Sequence, residues 1–141
     1  MLDTRLSAFL NGLLEFAADG SEWVGHSCLG VSAYTADGWQ KAFRRHYHVR
    51  SFTTVEAEES FFEAIGAWLE ETPGELTQKL VSHVTHRIGE PVRVLRAADE
   101  TKLLDDLSSC NGGIGAYWFT DGVFFVEFKT HVLAFLSGTF D

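Results

Sequence analysis

Leu6, Phe9, Leu10, Leu13, Leu14 and Ala17 recur at intervals of three and four. That spacing puts apolar side chains on one face of a helix. Asp3 or Thr4 caps its start, and Asp19-Gly20 supplies its stop. Residues 27–36 are rich in small and β-favouring types, and Asp37-Gly38 is a two-residue hairpin signal. The pattern therefore predicts a returning strand from Trp39 to about Ser51. Strand parity places Trp39, Phe43, Tyr47 and Val49 on a core face, with Lys41 and Arg45 among them. The opposite face carries Gln40, Ala42, Arg44, His46, His48 and Arg50.

Two helices come next. Thr53-Thr54-Val55-Glu56 has capping-box spacing before a stripe of Phe61, Phe62, Ile65, Trp68 and Leu69, while Glu56, Glu59, Glu63 and Glu70 take the other face. Thr72-Pro73-Gly74-Glu75 repeats the box before Leu76, Leu80, Val84 and Ile88, and Gly89 closes that helix. A short strand over 91–96 and a helix over 99–110 lead to Asn111-Gly112-Gly113. The C-terminal segment predicts a meander of three strands, Ile114–Thr120, Val123–Phe128 and His131–Phe140, with Asp121-Gly122 as its first turn. Tyr117, Phe119, Phe124, Val126 and Phe128 share its core face. Trp118, Thr120, Val123, Phe125, Glu127 and Lys129 share the other, with Trp118 and Phe125 as cross-strand neighbours. No linker or repeat divides 1–141, so one domain is expected. Segregated helices and strands joined by hairpins predict an α+β fold. Its mostly antiparallel sheet would combine the N-terminal hairpin with the meander, with helices packed on one face.

Composition adds a bias. The 141 residues carry a formal net charge of −9 and are 45% hydrophobic, which fits a globular domain. Residues 1–50 are neutral, with five acids and five bases, so the whole charge falls on 51–141. An acidic field attracts cationic partners and repels nucleic acid. The N-terminus lacks signal-peptide features and no stretch reaches membrane-spanning length. Two cysteines, Cys28 and Cys110, make no disulfide framework, and cytosol is the expected compartment.

Catalytic motifs are not recognised. Gly25-His26-Ser27-Cys28-Leu29-Gly30 departs from the nucleophile elbow at Leu29, and Gly112-Gly113-x-Gly115 precedes a strand instead of succeeding one. Asp105-Asp106, adjacent on a helix, point about 100° apart and cannot share a proton. His46 and His48 have metal-compatible spacing, as do His83 and His86, but Arg44 and Arg50 on the same predicted face repel a cation. No metal, cofactor or catalytic residue is assigned, and the chain is not expected to be an enzyme. The expected function is that of a small acidic cytosolic binding protein that meets a basic macromolecular partner. Bacterial immunity or inhibitor proteins that neutralise a toxin or nuclease share that physical profile. Glu56, Glu59, Glu63, Asp105 and Asp106 would meet the partner, with Trp118 and Phe125 as the aromatic patch beside them. Neither nucleic acid nor membrane is expected as a partner, and an edge strand offers a route to a homo-oligomer. The alternative is a small α+β enzyme or ligand-binding domain in which Arg44, His46, His48 and Arg50 hold an acidic small molecule.

Overall fold

A computed structural model describes residues 1–18, 27–70, 74–109 and 118–140, with the side chains of 15–18, 27, 28, 109, 118, 119, 139 and 140 outside the description. The elements run α1 (Thr4–Ala18), β1 (Ser27–Thr35), α2 (Trp39–Tyr47), β2 (Thr54–Glu56) and α3 (Phe61–Leu69). They continue with α4 (Glu75–Ile88), β3 (Pro91–Ala97), α5 (Glu100–Ser109), β4 (Trp118–Phe128) and β5 (His131–Phe140). The five strands form one antiparallel sheet in the order β1-β5-β4-β3-β2. The expected α+β fold with an antiparallel sheet is present.

Helices cover both faces of that sheet, where the sequence pattern predicts one. Leu10 of α1, Ile65 and Trp68 of α3, and Leu80 and Val84 of α4 pack on Val31, Phe124, Val126, Leu133 and Phe135. Phe43 and Tyr47 of α2 and Leu103 and Leu107 of α5 pack on Tyr34, Leu95, Val123, Phe125 and Leu136 from the other side. The physical reason lies in the central strands. Val123-Phe124-Phe125-Val126 and Val132-Leu133-Ala134-Phe135-Leu136 are unbroken apolar runs. Such runs signal burial on both faces, whereas a half-exposed strand alternates.

The N-terminal hairpin does not form. Asp37-Gly38 turns the chain, with Gly38 at φ 69°, but the turn leads into α2. Trp39, Phe43 and Tyr47 are four residues apart, a spacing that fits a strand of period 2 and a helix of period 3.6 equally. Lys41 and Arg45 decide between the two: a strand would push them into the core, whereas the helix leaves both exposed. The predicted capping box at Thr53 is instead β2. The box that forms is Ser60 with Glu63: the Glu63 N–H donates to Ser60 Oγ at 3.1 Å, and the Ser60 N–H donates to Glu63 Oε1 at 3.3 Å. Helix α4 starts at Glu75 with Gly74 as its N-cap. Thr72-Pro73, Asp19-Gly20 and Asn111-Gly112-Gly113 lie outside the described residues.

The predicted turn at Asp121-Gly122 is a β-bulge inside a continuous β4, so the described part of the meander is a two-strand hairpin. One extra residue shifts strand parity as a two-residue turn would. For that reason Thr120 and Val123 are both buried and the predicted face grouping of Val123 with Phe125 holds. Trp118 and Phe125 lie on the same strand and are not cross-strand neighbours.

The two edges of the sheet are treated differently. Edge strand β1 is closed by α1 and by residues 1–3. Asn11 Nδ2 donates to the Val31 carbonyl at 2.7 Å, and Asn11 Oδ1 accepts from the Val31 N–H at 3.1 Å. Ser7 Oγ accepts from the Ala33 N–H at 2.9 Å, the Asp3 N–H donates to the Ala33 carbonyl at 2.7 Å, and the Thr35 N–H donates to the Met1 carbonyl at 2.8 Å. Asp3 also caps α1, as predicted, by accepting from the Leu6 N–H at 2.9 Å. The other edge is β2, three residues long, with Val55 53% exposed.

Candidate functional site

The predicted acidic face is not one helix face. Glu56 ends β2 and is exposed, Glu59 lies in the loop between β2 and α3, and Glu63 stands in the first turn of α3. The fold nevertheless gathers Glu56 and Glu59 beside β3. Arg96 Nε donates to Glu59 Oε1 at 2.6 Å, its guanidinium lies 3.9 Å from Glu100 Oε1, and it sits 5.4 Å from the Phe124 ring centroid. Arg93 Nε donates to Glu127 Oε2 at 2.7 Å. The Glu127 hydrogen bond, and at longer range the Glu56 charge, raise the Arg93 pKa above its ordinary value. Exposed Glu58 and Glu90 flank the same two strands. Six carboxylates (Glu56, Glu58, Glu59, Glu90, Glu100 and Glu127) thus border this edge around Arg93 and Arg96, both of which are held in ion pairs.

The other predicted contact residues are placed elsewhere. Asp106 on α5 is bound by Arg50, whose Nη2 donates to Oδ1 at 2.7 Å and whose backbone N–H donates to Oδ2 at 3.3 Å. The Arg50 hydrogen bond holds the Asp106 carboxyl below the usual carboxylate range. Asp105 is exposed on the same helix. Phe125, expected in an exposed aromatic patch, is fully buried: its ring centroid lies 4.9 Å from Trp39, 5.1 Å from Phe43 and 5.6 Å from Phe52. Helix α2 covers it, so it touches no partner. The Trp118 side chain lies outside the described residues.

Nor do the four basic residues of the alternative reading converge. Arg44 donates to Ser51 Oγ at 3.1 Å, Arg50 turns to Asp106, and His48 is exposed at the C-cap of α2 in the left-handed region at φ 56°. His46 turns to the sheet, its Nδ1 2.9 Å from the Tyr34 hydroxyl. Tyr34 gives its proton to Ser32 Oγ at 2.9 Å, so the His46 Nδ1–H donates to the Tyr34 oxygen. The Tyr47 hydroxyl also donates to Ser32 Oγ, at 3.3 Å. Burial, and then the neighbouring Tyr47, push the Tyr34 pKa up, so this phenol is not a base at neutral pH. The cluster is a hydrogen-bonded polar inclusion between α2 and β1. What α2 does present outward is Lys41, Arg44, Arg45 and His48, a cationic stripe that strand parity divides between two faces.

A cavity of about 360 Å³ that the sequence did not signal lies between the loop at Ser51, Phe52 and Thr53 and the start of α5 at Asp99, Lys102 and Asp106. It forms because the Phe52 ring stacks on Phe125 and holds that loop against the sheet. Among the described residues no cluster of His, Cys, Asp or Glu is arranged to hold a metal ion, and no helix is long and apolar enough to cross a membrane. The Cys28 side chain and all of Cys110 lie outside the described residues. Compared with protein-family models, curated proteins and solved structures, the chain matches none.

Proposed function

We propose that the protein is a binding protein that engages a basic macromolecular partner, as an immunity or inhibitor protein that neutralises a toxin or nuclease does. The observation that supports this reading is the border of six carboxylates around β2 and β3, within which Arg93 and Arg96 are already neutralised. Its net negative field accelerates encounter with a cationic surface, and salt weakens it. Glu56, Glu58 and Glu59 lead this surface. Glu63 contributes at its margin, and exposed Asp105 stands apart on α5 beside Asp106, which Arg50 already neutralises. The small-molecule reading has less support, because Arg44, His46 and Arg50 are turned to separate partners while His48 is exposed at the C-cap of α2.

The test uses the immobilised protein in a soluble proteome at about 0.05 M and about 0.5 M salt, a range across which exposed charges become screened. The expected result is retention of a protein of high isoelectric point at low salt and its release at high salt. A Glu56→Lys/Glu58→Lys variant should lose that protein, and a Lys41→Glu/Arg45→Glu variant should keep it. Retention that ignores salt, or that tracks the α2 substitutions instead, overturns the proposal.

A further inference from the structure

We infer that the β2 edge of the sheet receives an extended, basic segment of the partner as an added antiparallel strand. This rests on the proposed function and specifies how the contact is made. The ladder register carries the inference. The Ala98 N–H donates to the Thr53 carbonyl and the Ala57 N–H to the Val94 carbonyl, both at 2.8 Å, and Val55 lies opposite Arg96 between them. Alternate residues of an antiparallel strand direct their backbone groups to opposite sides. Residues 53, 55 and 57 therefore bond to β3, and the N–H and C=O of Thr54 and Glu56 point away from the sheet. Among the described residues nothing is bonded to them on that side.

The contrast with β1 gives this edge its significance. At β1 the outward groups of Val31 and Ala33 and the N–H of Thr35 are filled by Asn11, Ser7 and residues 1–3, so that stretch of the opposite edge is sealed. An open edge is a template for another strand, and strand addition is a recurrent mode of peptide recognition. The edge also carries apolar side chains for an incoming strand to cover: Val55 is 53% exposed and Val92, at the bulge of β3, is 60% exposed. Charge selects the occupant. Glu56, Glu58 and Glu90 are exposed beside these valines, so a strand that alternates lysine or arginine with apolar residues is complementary in both respects. A second copy of this chain is disfavoured, because pairing β2 with itself brings two such acidic borders together on molecules of net charge −9.

The experiment titrates the ¹⁵N-labelled full chain with a synthetic ten-residue Lys-Val repeat peptide. Two controls accompany it: the same peptide N-methylated at every residue, and a Glu-Val repeat. The expected result is saturable shifts at Thr54, Val55, Glu56 and Val92, with slowed amide exchange at Thr54 and Glu56. The N-methylated peptide keeps its charge but cannot complete the ladder. It should bind about tenfold more weakly, the effect of losing one to two backbone hydrogen bonds. The Glu-Val peptide should not bind. Equal binding of both lysine peptides overturns strand addition but leaves the basic-partner reading standing. Preference for the Glu-Val peptide overturns both, and no binding by any peptide overturns strand addition. A dimer in sedimentation that the Lys-Val peptide does not dissociate makes a second copy the occupant and overturns the assignment.

Discussion

His46 shows how one side chain can belong to two environments. Its Nδ1–H reaches a fully buried tyrosine while the rest of the residue is exposed on α2. Burial, and then the charge of His48, hold the His46 pKa below the ordinary 6.5. Where the folded pKa of a base is depressed, the unfolded chain takes the proton more readily, so stability is intact above 6.5 and declines as pH falls from there through the folded value. NMR titration should therefore find His46 half-protonated below pH 6.5. A His48→Ala variant should move that midpoint upward without restoring it fully, because burial remains. An unmoved midpoint would mean that His48 does not act on His46. The Asp106–Arg50 pair has the same sign in a more acidic window: its contribution is present above the usual aspartate range and is lost on acidification through the lowered pKa.

At the scale of elements, the pairing of α1 with β1 depends on a residue that helices do not favour. Asparagine is a weak helix former, yet Asn11 sits mid-helix on α1 and satisfies both backbone groups of Val31. It does for the edge of β1 what a neighbouring strand would do. Asn11→Ala leaves a part-buried N–H and C=O without partners and should cost about 2 kcal/mol. Asn11→Asp keeps the acceptor for the Val31 N–H but sets a carboxylate oxygen against the Ser7 and Val31 carbonyls, so it should cost at least as much. Denaturant unfolding at neutral pH measures both, and equal stability of all three proteins would show that this edge is held by packing alone. The same scale explains why the segment that forms α2 reads as a strand. The aromatics at 39, 43 and 47 satisfy both periods, and the discriminating residues, Lys41 and Arg45, are those a core-centred reading passes over. Helix α1, by contrast, is legible with its Asp3 cap, because i, i+3, i+4 spacing over four turns has no strand equivalent.

For the whole molecule, the sheet acts as a shared wall between two cores, and Phe125 lies at the centre of the second. Phe125→Ala should cost about 3–5 kcal/mol, the range for a buried aromatic whose site cannot collapse. A loss under about 1 kcal/mol would place the ring at a surface and revive its role as a contact residue. Charge is also distributed by the whole fold. Helix α2 carries cations outward on one helical layer, while the acids of 56–59, 90, 100 and 127 meet only because β2, β3 and β4 are neighbours. By itself the sequence determined the α+β class, the positions of α1, β1, α4, α5 and β5, the apolar runs of the core and the confinement of net charge to 51–141. Each of these depends on local spacing or on counting. Only the tertiary structure decided that both sheet faces are covered, that Asp121-Gly122 is a bulge and not a turn, and that Phe125 is inside. It alone decided that β1 is sealed while β2 is open. Those outcomes turn on which segments lie side by side, and the hydrogen bonds and contacts that settle them join residues far apart in the chain.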